Sequence, residues 1–564
     1  MLCTRTFCVI ISNMKNRALL YTDYTDNLTA LVHCLIKHGC EILSAGQTGK
    51  LLADADIAYT AVSVFDDSPR TFGDYEAMLQ SLVTSGRQNE FGRSDETGAI
   101  RLVCINLEPV SHARKNYKSL DSVADKIDMR ALSFIQAACK NYKNILILTD
   151  PVDYEEAIVK IETQSISEAF RLYLAAKAFN MISACTAAAG NAILQQAGDK
   201  SYPRYFMLPY KKSEELINKE QSHRSACLYT LLHGGALDSL RKNQGGELLY
   251  SLYVNIDAVW ESLSNFSALL RKPPTVTERG DNGNEIEMRF TPAAGSVFTC
   301  SSKHGIPVSA ALGSNCTESF QKMSACRKAF LENAVAGFSA VVDESAANEL
   351  LKSNLAAVVA PDFTAGAKTL LAERKDIRLI TMSTPATISY NIRSLNGGLI
   401  VEEDKVTLFD SWKVVTKARP TQIQADEAAF AQLVMLGAKH DAAAVIGNMT
   451  TIGMCCAALA PADACFAAIN RAANNMQSEP AKSAPPAETL VSASALPFDK
   501  GFERFINSGI RLILQPGGTD SDSEFIKFCN EHGIAMVFTD DEAAYRTEST
   551  SSARTVEALN PSHE

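Results

Sequence analysis

Ser44, Gly46 and Thr48 place two hydroxyls and a run of backbone N–H groups directly after an apolar strand, Glu41-Ile42-Leu43. The residues that follow, Lys50-Leu51-Leu52-Ala53, open a helix. A small-residue turn at a helix N-terminus can hold a phosphate, because its N–H groups converge and the helix dipole favours an anion. A plain strand-to-helix turn uses the same residues, and the sequence leaves both readings open. The 15 cysteines suggest no further site. They are scattered, odd in number and set in apolar runs such as Leu102-Val103-Cys104-Ile105, the usage of a reducing compartment. No C-x-x-C or H-x-x-x-H spacing occurs, and Cys455-Cys456 cannot share one tetrahedral ion without distant ligands, so no metal is expected.

The elements that must position this turn are legible around it. Ala18 to Thr22 reads as a strand, and Leu28, Leu31, Val32, Leu35 and Ile36 form a helical stripe closed by Gly39. Strands over Arg101 to Asn106 and Ile145 to Thr149 flank a helix over Ala131 to Lys140, the alternation of a parallel sheet. A long helix from Ile166 to Gln196 closes a first domain of residues 1–200. A second region, 201–546, continues with strands near Ala340 to Val342, Ala356 to Ala360 and Leu379 to Met382. It ends in a βαβ unit with strands Ile510 to Leu514 and Ile534 to Thr539 around a helix over Glu524 to Asn530. The Pro- and Ser-rich stretch 478–488 reads as a mobile insertion and 547–564 as a disordered tail. No internal repeat is legible. The fold class is α/β throughout.

A chain of 564 residues with 46% hydrophobic and 21% charged residues fills two or more domains. A net charge of -10 leaves no basic field for a nucleic acid backbone, though a local pocket for a small anion remains compatible with it. No apolar run approaches the roughly 20 residues that span a bilayer, so a soluble, cytoplasmic protein is expected. The first 22 residues lack Asp and Glu and carry Arg5, Lys15 and Arg17, which keeps a mitochondrial presequence as the alternative.

Collinear stretches along nearly the whole chain resemble one family, the bifunctional enzymes joining aminoimidazole carboxamide ribonucleotide (AICAR) formyltransferase to inosine monophosphate (IMP) cyclohydrolase. They include Glu41 to Thr48, Ile127-Asp128, Ala137-Ala138-Cys139-Lys140-Asn141, Lys303-His304, Asn396-Gly397-Gly398-Leu399, Thr451-Ile452-Gly453, Gln515-Pro516-Gly517-Gly518 and Glu531 to Thr539. The resemblance implies an N-terminal methylglyoxal-synthase-like, doubly wound domain for ring closure. It implies a larger C-terminal formyltransferase-like region of cytidine-deaminase-like fold, and a homodimer. It also implies a phosphorylated purine-precursor ligand, no tightly bound cofactor, and 10-formyltetrahydrofolate as cosubstrate if the chain is active.

For ring closure the resemblance carries over Ser44, Gly46 and Thr48 as phosphate anchor, with Asp128 and Lys140 as acid and cation; a helix cap or structural ion pair explains those two equally. For formyl transfer it carries over His304 for the proton, Lys303 for the developing charge and Lys439, with Glu220 and His223 as ligand-binding remnants. Departures are as prominent. The family's Lys-Thr-Leu-His-Pro segment reads Ala77-Met78-Leu79-Gln80-Ser81, and Thr25 and Glu108 replace a lysine and a tyrosine. The Lys-Ser-Asn motif reads Lys439-His440-Asp441, and the glycine-rich run reads Gly453-Met454-Cys455-Cys456-Ala457-Ala458-Leu459-Ala460-Pro461. On these grounds both activities are expected to be lost or greatly reduced.

Overall fold

The computed structural model describes residues 16–22, 27–65, 71–84, 99–106, 128–197, 202–218, 224–232, 235–271, 275–279, 285–290, 292–325, 331–385, 390–403, 412–438, 441–476, 487–503 and 508–539. The chain divides into two compact units, Met1–Ser213 with Tyr229–Gly234, and Glu214–Leu228 with Gly235–Glu564.

The first unit is built on five parallel strands, β1 (Arg17–Thr22), β2 (Glu41–Ser44), β3 (Thr60–Ala61), β4 (Ile100–Asn106) and β5 (Leu146–Leu148), in the order β3-β2-β1-β4-β5. The central strands β1 and β4 are almost wholly apolar because helices cover both of their faces. Those helices are α1 (Leu28–Lys37), α2 (Gly46–Asp54), α3 (Thr71–Thr84), α4 (Met129–Lys140), α5 (Tyr154–Glu162) and α6 (Glu168–Ala197). The strand order reverses between β1 and β4, so a crevice for ligands lies beyond the carboxyl ends of these two strands. The small-residue turn is shorter than its sequence suggests, since α2 already begins at Gly46 and only Ala45 lies between it and β2.

α6 corrects one expectation. By length and composition it could cross a bilayer, because few of its 30 residues are charged. Its Phe170, Leu174, Ala175, Ala178 and Ile182 nonetheless pack into the two cores on either side of the sheet.

Two strands, β6 (Tyr210–Leu216) and β7 (Ala226–Leu231), are each divided between the units, and the second unit continues with the edge strand β8 (Arg241–Gln244) and helix α7 (Tyr250–Arg271). A ribbon of β9 (Thr275–Arg279) and β10 (Glu285–Arg289) precedes the antiparallel hairpin β11 (Val297–Lys303) and β12 (Ile306–Gly313). Then come α8 (Cys316–Ala325), β13 (Val335–Phe338), α9 (Glu344–Leu351), β14 (Ala357–Ala360), α10 (Ala365–Leu371) and β15 (Arg378–Thr381). The strand expected at Ala340 to Val342 lies earlier, at β13, and Val342 makes only a single bridge to Phe363.

An exposed ribbon, β16 (Tyr390–Leu395) and β17 (Gly398–Glu403), turns at Asn396-Gly397 with a φ of 81° at the glycine. Beyond it the succession repeats. The edge strand β18 (Lys413–Val414) leads to α11 (Gln422–Met435), the hairpin β19 (Asp441–Gly447) and β20 (Thr450–Ala458), and α12 (Pro461–Met476). Parallel strands β21 (Thr489–Ser492), β22 (Leu512–Gln515) and β23 (Ala535–Phe538) follow, with α13 (Asp522–His532) before the last.

All of these main strands join one sheet of 12, ordered β18-β23-β22-β21-β19-β20-β12-β11-β13-β14-β15-β8. Read outward from its centre, the sheet has one half β12-β11-β13-β14-β15-β8 and the other β20-β19-β21-β22-β23-β18. Each hairpin is antiparallel, each outer trio parallel, and each edge strand antiparallel to its neighbour. The second unit is therefore an internal duplication, contrary to the expectation of no repeat. Between β21 and β22 the described residues hold a short 3-10 turn, Lys500–Phe502, where the first half has α9.

Residues 478–486 of the expected insertion and all of 547–564 lie outside the described residues. The insertion's last two positions belong to the frame. Ala487 is buried in a core cluster, and Glu488 accepts a hydrogen bond from Gln424.

Candidate functional site

At the carboxyl edge of the first sheet, the hydroxyls expected to hold a phosphate are engaged by the backbone. Ser44 Oγ donates to the Leu20 carbonyl at 3.0 Å and is fully buried. Thr48 Oγ1 donates to the Thr22 carbonyl and accepts from the Thr22 amide, both at 2.8 Å. These bonds tie β2 and α2 to β1. What stays exposed is Gly46 and Gln47 at the start of α2, where Gly46 has a φ of 57° and Tyr21 stands 3.4 Å from the position a Cβ would take.

Asp128 and Lys140 are not brought together. The Asp128 carboxylate caps α4, accepting from the Arg130 and Ala131 amides at 3.0 Å each. Lys140 is exposed in the last turn of the same helix, roughly 18 Å along its axis, at the end where a cation is favoured. The neighbouring Asn141 bonds the Leu82 carbonyl at 2.9 Å and so joins α4 to α3.

A buried polar group at this edge was missed from sequence. Tyr154 Oη receives hydrogen bonds from Asn106 Nδ2 at 2.7 Å and from Cys104 Sγ at 3.1 Å. Burial pushes the tyrosine's pKa upward and the Cys104 thiol up to about 12, so both stay neutral. Thr22 and Asn106 end the two strands that flank the switch point, and a polar residue closing an apolar strand was the available signal.

In the second unit, Lys303 and His304 form the tip of the β11–β12 hairpin. His304 and Gly305 are its two turn residues, with φ of 58° and 71°, the geometry of a type I′ turn. Lys303 Nζ donates to the Glu332 carbonyl at 3.0 Å. The His304 ring is exposed and, among the described residues, makes no hydrogen bond. Lys439, Glu220 and His223 lie outside the described residues.

The hairpin is held from beneath by α7, whose Asn255 Oδ1 accepts from the Gly305 amide at 2.7 Å. The duplication repeats this device. In α11 the carboxylate of Glu427, at the same place in its helix as Asn255, takes the amides of the turn residues Asn448 and Met449, with φ of 49° and 54°. Glu427 also accepts from Thr489 Oγ1 at 2.7 Å, while burial raises its pKa.

The segment in place of the glycine-rich run is a regular strand. Met454, Cys455 and Cys456 are buried in β20, with the Cys456 thiol pushed up to about 12 by desolvation, and Pro461 opens α12. Thr451 exchanges hydrogen bonds with Ala310 across the join of the two halves, and Gly453 is required because a Cβ there would lie 2.1 Å from the Ala468 carbonyl of α12. Asp441 accepts from Ser494 Oγ at 2.6 Å. In Gln515-Pro516-Gly517-Gly518, the glutamine is buried and accepts from the Leu496 amide, and Asp522 accepts from the Gly518 amide. These retained motifs serve the frame.

A cleft of about 330 Å³ opens in this unit between Leu312, Gly313, Glu318, Lys322, Asp426 and Met449. It stands at the far end of β12, roughly 20 Å along the strand from Lys303-His304, and does not hold that pair.

The comparisons agree with this architecture. The AICARFT/IMPCHase bienzyme model matches residues 138–471. Among curated relatives, the bifunctional purine biosynthesis protein PurH of Petrotoga mobilis is 27% identical over 538 residues, covering 93% of this chain and 98% of its own length. Its counterpart in Clostridium botulinum strain Kyoto is 29% identical over 536 residues, covering 93% and 99%. With a doubly wound first unit, a larger mixed second unit and a family match over more than half its length, the chain belongs to the AICARFT/IMPCHase bienzyme family as a diverged member.

Proposed function

We propose that this family member has lost or greatly reduced both ring closure and formyl transfer, and serves as a scaffold, regulatory partner or sensor of a small phosphorylated molecule. The observation that carries the reading is the reciprocal pair between Thr48 and Thr22, which leaves the expected phosphate anchor without a free hydroxyl proton. Asp128 in a helix cap, and β20 in place of a glycine-rich loop, point the same way. The exposed residues Gly46 and Gln47 at the start of α2 keep a weaker phosphate contact open, which suits sensing better than turnover.

A second reading, an active enzyme with rebuilt sites using 10-formyltetrahydrofolate as cosubstrate, is favoured by His304. A histidine held at positive φ with an exposed, unbonded ring is a strained placement of the kind that clusters at functional sites. The two separate in one experiment. The purified chain is incubated with AICAR and 10-formyltetrahydrofolate, and separately with the formylated intermediate, and that intermediate and IMP are quantified by chromatography. The proposal expects neither product. Formation of either, abolished by Lys303→Ala or His304→Ala in the first case, overturns it.

A homodimer in the cytoplasm is part of the proposal. Supporting surfaces are Leu172, Phe179 and Ile193, exposed at helical spacings of seven and fourteen along α6, and Leu395, Leu399 and Ile400, exposed on the β16–β17 ribbon. A two-stranded ribbon is marginal alone and gains from being covered. Sedimentation velocity showing only monomer at micromolar concentration would remove this part.

A further inference from the structure

Along the amino edge of the first sheet and the start of α6, opposite the carboxyl edge described above, lie four basic side chains and two acids. Arg17 pairs with Glu41 at 2.9 Å, and Lys143 with Glu168 at 3.8 Å. The side chains of Arg101 and Arg171 make neither an ion pair nor a hydrogen bond among the described residues. Arg101 is the extra residue where the β1–β4 register slips between Arg17 opposite Ile100 and Ala18 opposite Leu102, and such a bulge turns a side chain out of the regular pleat. Arg171 lies in the first turn of α6, and its Nη1 is out of contact with water and has no acceptor.

This is a costly arrangement for a protein to keep empty. Both arginines are half-buried, and a guanidinium partly withdrawn from water without a carboxylate or carbonyl loses hydration with no return, while a second guanidinium nearby adds repulsion. Burial lowers the pKa of both arginines, and Arg101 lowers that of Arg171 further, so the two charges act on each other. Guanidinium forks carry N–H donors that suit the oxygens of a tetrahedral oxyanion, which would restore the hydrogen bonds and cancel the repulsion together.

We propose that Arg101 and Arg171 form a phosphate site at the amino edge of the first sheet, taking free phosphate or the phosphoryl group of a small metabolite. It is separate from the Ser44–Thr48 turn and independent of whether either enzymatic activity survives.

Thermal unfolding of the full chain is followed with inorganic phosphate, with ribose 5-phosphate, and with potassium chloride at matched ionic strength. A ligand bound only by the native state raises the melting temperature in a saturable way. The expected result is such a rise with one or both phosphate sources and not with chloride; which source is preferred identifies the ligand. Arg101→Met and Arg171→Met each abolish the rise, and without phosphate each variant is at least as stable as the parent because an unpaired charge is gone. Lys143→Met, on the same rim but ion-paired, keeps the rise. Should Arg171→Met fail to fold, Arg171→Lys retains the charge but loses the fork, and calorimetry should then show a dissociation constant at least about tenfold weaker. No saturable rise, a rise reproduced by chloride, or a rise that survives both arginine substitutions overturns the site.

Discussion

Thr48 and Thr22, 26 residues apart, close a two-bond ring: the Thr48 hydroxyl accepts from the Thr22 amide and donates to the Thr22 carbonyl, each at 2.8 Å. Both residues are buried, so this ring is part of the core of the first unit. Thr48→Val keeps the shape and strips both partners. Losing both hydrogen bonds to the buried Thr22 backbone should lower stability by roughly 2–4 kcal/mol in urea unfolding. A variant as stable as the parent, with phosphate binding selectively lost, would show instead that the hydroxyl works for a ligand.

Asp128 is read as a cap, and caps have a distinctive substitution pattern. Asp128→Ala should cost about 1 kcal/mol, while Asp128→Asn, an equally good N-cap, should leave the unfolding midpoint nearly unchanged. If the asparagine variant loses measurable ring closure while keeping its midpoint, the carboxylate has a chemical role beyond the cap.

His304 occupies a turn position that suits asparagine or glycine. His304→Asn should raise stability by up to about 1 kcal/mol, read by denaturant unfolding. A loss of stability would mean that the ring makes contacts in the assembled protein that hold the turn.

The two hairpin supports should respond alike. Asn255→Ala frees the Gly305 amide and should cost about 1–3 kcal/mol. Glu427→Ala frees two amides and the Thr489 hydroxyl and should cost more. The number of groups each support holds predicts that order, and the reverse order in unfolding free energy would contradict it.

Glu318 supplies a pH signature. Its carboxylate is held down to about 2, first by the hydrogen bond from Lys322, at 2.8 Å, and then by the Ser314 hydroxyl and amide. A folded-state pKa below the unfolded value near 4.5 adds stability that is fully present above about 4.5 and is lost as pH falls toward 2. The stability difference between the parent and Glu318→Gln should therefore be constant near neutrality and shrink through that acid window. The group is partly exposed, so added salt should reduce the difference.

The parallel sheet of the first unit was legible because β1 and β4 are apolar nearly throughout and alternate with helical stripes. Ser44 and Thr48 could not be judged from sequence, since the backbone groups that engage them lie 24 and 26 residues away. The β11–β12 hairpin escaped for a local reason: its turn is His304-Gly305, without an Asn-Gly signal, and Val297 to Ser302 are buried on both faces, which hides the strand alternation. The duplication escaped because its equivalent supports are an asparagine and a glutamate, and its equivalent turns read His304-Gly305 and Asn448-Met449. What the halves share is where backbone amides need an acceptor, a requirement that several side chains can meet.

Each hairpin tip hangs from its own helix through a carbonyl or carboxylate that grips the tip by its main chain, Glu427 holding the Thr489 hydroxyl as well. The side chains displayed at the tip contribute nothing to that grip. Substitutions there are consequently cheap for folding, and such a tip can exchange one chemistry for another, or for none, while the sheet beneath keeps its register.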